Sequence, residues 1–119
     1  MNYKVPYDFI LRLLYPLRPK IRKMLGGYVL VLDNKILFYL RDRENHPEYN
    51  GVFVATQPKY YEALSHEIHA SNMEVDIDGI AHSWLFISED LDDFEKKLKA
   101  ACDLLKAGDT RIGKEVGKI

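Results

Sequence analysis

Cysteine is almost missing from this chain, for among its 119 residues there is only Cys102. A lone thiol excludes an internal disulfide, and a reducing cytoplasm is the natural compartment to expect. Long apolar runs are lacking too. The longest uncharged ones, 25–32 and 36–40, fall far below the roughly 18 residues that a membrane span needs, so no membrane partner is expected. Near the start, Pro6, Asp8 and Arg12 interrupt any apolar stretch, which argues against a secretory signal. An overall charge of one sign is absent as well: 17 basic and 18 acidic residues leave a formal net charge of −1. Hydrophobic residues at 47% and charged residues at 29% are an ordinary globular balance, which disfavours disorder, and the length suits a single domain over 1–119.

What is present begins with a charge asymmetry. Residues 1–23 carry Lys4, Arg12, Arg18, Lys20, Arg22 and Lys23 against only Asp8. Arg18, Lys20, Arg22 and Lys23 form a candidate basic patch that could attract nucleic acid or an acidic partner. No aromatic stacking platform interleaves these charges, so the reading preferred is a solvated helix face followed by a basic loop, with any nucleic-acid binding weak.

Periodicity predicts a first helix from Pro6, with Asp8 in its first turn, to near Tyr15, where Pro16 and Pro19 forbid continuation. Residues 20–25 form a short strand or an extended approach, and Gly26-Gly27 offers the positive φ of a bulge or sharp turn. Two strands follow, 28–32 and 36–40, joined through Asp33-Asn34 as a hairpin. In that register Val31 opposes Ile36 and Val29 opposes Phe38 on one face, while Leu30 opposes Leu37 and Tyr28 opposes Tyr39 on the other. A charged loop over 42–50 leads to a strand at 52–55. A second helix starts near Thr56 or Gln57 with the stripe Tyr61, Leu64 and Ile68. Residues 73–77 alternate apolar and acidic, Asp78-Gly79 reads as a type I′ turn, and the chain returns over 80–87. The last helix opens at Asp90, has the core stripe Leu91, Phe94, Leu98, Ala101, Cys102 and Leu105, and stops at Gly108. Residues 109–119 read as a flexible tail. The expected fold is α+β, a mainly antiparallel sheet of five or six strands with three helices on one face.

The helix, the basic loop, Lys23-Met24-Leu25-Gly26-Gly27 and the acidic hairpin turn together resemble the N-terminal domain of the TfoX/Sxy competence-regulator family. That family usually shows Lys-Met-Phe-Gly-Gly here, with Leu25 standing where the aromatic is expected. The resemblance implies an αβββαββα-like fold and a regulatory or protein-interaction role without known catalysis.

The residues themselves offer little chemistry. His66 and His69 are three apart, whereas a zincin helix needs histidines four apart, so no metal is expected. Gly108 to Lys114 satisfies Gly-x-x-x-x-Gly-Lys, but Glu115 replaces the hydroxyl residue that holds magnesium and a helix precedes it, so no nucleotide or other cofactor is expected. Cys102 reads as a small core hydrophobe. His82, between Ile80 and Trp84 on one strand face, is a pocket candidate and the basis of a weaker enzymatic alternative. With helices on one face only, Tyr28, Leu30, Leu37 and Tyr39 would form an exposed apolar patch, for which a homodimer or another protein partner is the expected cover.

Overall fold

The computed structural model describes residues 5–72 and 84–116. Its elements run α1 (Ile10–Leu14), β1 (Lys20–Met24), β2 (Gly27–Leu32), β3 (Lys35–Arg41), β4 (Gly51–Ala55), α2 (Tyr61–Ile68), β5 (Ser71–Asn72), β6 (Trp84–Ser88), α3 (Phe94–Lys106) and β7 (Lys114–Glu115). The fold is α+β. One sheet carries the strands in the order β1-β2-β3-β4-β6-β5, with every neighbouring pair antiparallel, and β7 pairs with the start of β3. The expected strand over 73–77, its turn and the first half of the return strand lie outside the described residues.

Two tight turns set the first three strands. Asp33 and Asn34, at φ 51° and 64°, form the expected two-residue connection between Leu32 and Lys35. Leu25 and Gly26, at φ 55° and 79°, do the same between Met24 and Gly27. Gly26 thus supplies the positive φ, whereas Gly27 answers a different demand: a Cβ there would stand 2.5 Å from the Leu40 carbonyl oxygen and 2.7 Å from the Tyr39 ring.

The hairpin register departs from expectation after its second pair. Val31 opposes Ile36, but Leu30 then opposes Phe38, which leaves Leu37 as an extra residue in a β-bulge. The bulge turns Leu37 and Phe38 to the same side of the sheet. There they join Leu30, Leu40, Val52, Val54, Leu85 and Ile87 under the helices, packed with Ile10, Leu64, Ile68, Leu98 and Cys102. The opposite side holds a second core of Val29, Val31, Ile36, Tyr39, Phe53, Ala55 and Trp84.

The helices start later than periodicity suggests. Tyr7 adopts φ 55°, which breaks the first predicted turn, and its hydroxyl lies 2.6 Å from Glu89 Oε1 and 3.0 Å from the Arg41 carbonyl oxygen. A 3-10 turn over Pro58–Tyr60 precedes α2. Gly108, at φ 89°, ends α3 as anticipated, with the Asp109 N–H donating to the Leu104 carbonyl at 3.0 Å.

Residues 109–116 are not a free tail. Ile112 is buried in the helix-side core, Gly113 N–H donates to the Ala55 carbonyl at 2.7 Å, and β7 pairs with Lys35 and Ile36 of β3 beyond the end of β4. Thr56, fully buried, donates its hydroxyl to the Arg111 carbonyl at 2.7 Å. Composition suggested mobility because the segment is polar and glycine-rich. It is held instead by backbone pairing, to which composition is blind.

Candidate interaction edge

Pro16 and Pro19 end the first helix and deliver the chain extended into β1. Among the described residues β1 pairs only with β2, so it forms one margin of the sheet with a row of outward backbone groups. Residues directly opposite in an antiparallel pair share a face. Lys20 opposes Val31 and Arg22 opposes Val29, so both cations project on the side of the second core. Ile21 opposes Leu30 and Lys23 opposes Tyr28, on the helix side. Three of the four cations of the candidate patch are therefore brought to one edge and divided between its faces, and Arg18 lies just before the strand.

Each face has its own recess. On the helix side a groove of about 860 Å³ is walled by Pro6, Leu11, Ile21, Gly26 and Tyr28, with the carboxylates of Asp8 and Asp42 also lining it. On the other side a cleft of about 250 Å³ is floored by Met24, Val29, Val31 and Ile36, with Arg22 beside them. Arg18 and Lys20 continue the basic line toward the Asp33-Asn34 turn.

Sequence reasoning missed the rings beside these charges. The Arg18 guanidinium lies 5.9 Å from the centroid of Tyr15, which is an exposed residue, and Lys23 Nζ lies 6.0 Å from that of Tyr28. Tyr15 ends α1 and Tyr28 sits on the neighbouring strand, so turn geometry rather than spacing in the chain brings them together.

The expected apolar patch does not exist as a surface. Leu30, Leu37 and Tyr39 are 0%, 3% and 0% exposed within a single chain, and only Tyr28 is partly accessible. Leu30 and the bulged Leu37 lie in the helix-side core and Tyr39 in the other, where its hydroxyl donates to the Leu25 carbonyl at 2.8 Å. The second face lies against chain of its own, including Tyr49 from the 42–50 loop and Val116 beyond β7. That loop is pinned from within. Buried Arg41 donates to the carbonyls of Asn45 and His46 and to Asn50 Oδ1 at 2.8–2.9 Å, and Asn50 Nδ2 donates to the Arg43 carbonyl.

Other candidates separate. His66 lies on α2 and His69 just past its end at φ 54°, so they do not share a helix face. Among the described residues no group of three or more His, Cys, Asp or Glu is placed to hold a metal, and no helix is long and apolar enough to cross a membrane. Burial pushes the Cys102 thiol up to about 12. His82 lies outside the described residues. Gly113 and Lys114 of the Gly-x-x-x-x-Gly-Lys string are engaged in strand pairing, with Lys114 Nζ 5.7 Å from the Trp84 ring centroid. Compared with protein families, with curated proteins and with solved structures, the chain matches none.

Proposed function

We propose that this chain is a small regulatory or protein-interaction domain without catalysis of its own, kin to the TfoX/Sxy N-terminal domain through Lys23-Met24-Leu25-Gly26-Gly27. The observation that carries the reading is the edge of β1, which among the described residues pairs on one side only, with β2, and has a recess on each face. Such an edge is a template for a strand from another chain. It replaces the sheet-face homodimer as the place for a partner, since that face is already buried. The test is affinity isolation from the native host with wild type and with Lys20→Glu/Arg22→Glu. A protein captured in near-stoichiometric amount by wild type and lost with the variant is the expected result. Equal capture by both would move the contact elsewhere.

Nucleic-acid binding is the second reading, favoured by the pairing of Arg18 with Tyr15 and of Lys23 with Tyr28. Each ring face already has its own cation, and two carboxylates line the groove beside Ile21, so this binding is expected to be weak. Submicromolar, steeply salt-dependent affinity for DNA at physiological salt would reverse the ranking.

A further inference from the structure

We infer that the partner of the β1 edge is an extended segment of alternating acidic and apolar residues, which adds to the sheet as a further strand beside Lys20–Met24. The inference rests on the interaction reading above and names the class of partner. It follows from the two faces of the edge. A residue of an added strand shares the face of the β1 residue it neighbours. Neighbours of Lys20 and Arg22 therefore meet two cations, with Arg18 at the same end, and carboxylates suit those positions. Neighbours of Ile21 meet the groove of Leu11, Ile21 and Tyr28, where apolar side chains gain burial.

Asp8 and Asp42 line that same groove, so an acid turned to that face meets like charge there as well as Lys23. A shift of one residue would exchange the two sets, so charge selects the register as well as the partner. The β1 strand of a second copy is a poor occupant of the edge. Two β1 strands paired antiparallel about their centre would set Arg22 against Arg22, and neither strand holds an acid.

The experiment uses the full chain and a fluorescent peptide of roughly ten residues, a long-strand length, alternating glutamate and valine. A second peptide holds the same residues in two blocks, a third alternates lysine and valine, and a fourth probe is a single-stranded oligonucleotide. The alternating acidic peptide is expected to bind at least about tenfold more tightly than the block peptide and to weaken as salt rises. Hydrogen exchange is expected to slow at amides 20–24. Lys20→Glu/Arg22→Glu alters exposed side chains only, and is expected to lose the acidic peptide and gain the basic one. Equal binding of alternating and block peptides, protection elsewhere, or tighter binding of the oligonucleotide with displacement of the peptide would each overturn the assignment. Failure of every peptide alongside variant-sensitive capture of a host protein overturns the acidic strand alone; failure of both overturns the interaction reading too.

Discussion

Leu25 holds φ 55° in a two-residue turn, a conformation that costs a residue with a Cβ about 1–2 kcal/mol. Its backbone carbonyl, which receives the Tyr39 hydroxyl, is independent of the side chain. Leu25→Gly is therefore expected to raise stability by about 1 kcal/mol, read as a higher urea midpoint at unchanged slope. Gly27→Ala has the opposite sign. Its new Cβ would meet the Leu40 carbonyl oxygen at 2.5 Å, and a loss of about 2–4 kcal/mol is expected in the same measurement. Asn50 is a third single-residue dependency, because its amide serves both the Arg41 guanidinium and the Arg43 backbone. Asn50→Ala leaves a buried cation short of an acceptor, and about 2–4 kcal/mol should be lost in urea unfolding.

At the scale of elements, an ionic junction adds to the backbone pairing that holds the segment 109–116. Arg111 forks onto Asp109, with contacts of 3.0 and 2.6 Å, and reaches Glu67 of α2 at 2.7 Å, while the Arg111 N–H donates to Asp109 Oδ1. The side-chain hydrogen bond from Arg111 holds the Asp109 carboxyl below its ordinary value. A carboxylate depressed in the folded state stabilises fully above its unfolded value of about 3.9, and that contribution is lost as pH falls through the lower folded value. Thermal melts below about pH 4 should show wild type losing stability more steeply than Asp109→Asn, whose junction is already weakened at neutral pH. Identical acid slopes would mean that Asp109 does not hold the segment.

At the scale of the molecule, the sheet has a core on each face, and β3 feeds both of them through its bulge. Leu37 therefore supports the fold, not an oligomer. Leu37→Glu is expected to destabilise the chain by about 3–5 kcal/mol in urea unfolding, with a melting temperature that does not depend on protein concentration. A well-folded variant that changes only the association state would restore the surface patch. Charge at the open margin acts at this scale too, since like-charged β1 edges discourage sheet-to-sheet pairing between copies.

The local signals read correctly were those that depend on near neighbours. Asp33-Asn34 marked a turn because those residues tolerate positive φ, Gly108 marked the end of α3 for the same reason, and apolar spacing placed Leu64, Ile68, Leu98 and Cys102 in the core. The cations of the β1 edge were also visible, as a charge excess in the first 23 residues. What the chain order could not express is pairing between distant segments. The bulge at Leu37 sets that residue on the helix side with Leu30 and leaves Tyr39 facing away. The docking of 109–116 depends on Ala55, Thr56 and Glu67, more than forty residues upstream. Residue chemistry set which segments could form strands and turns; the pairing of the sheet decided that β1 has a neighbour on one side only among the described residues, because an edge exists only once the strands have found their partners.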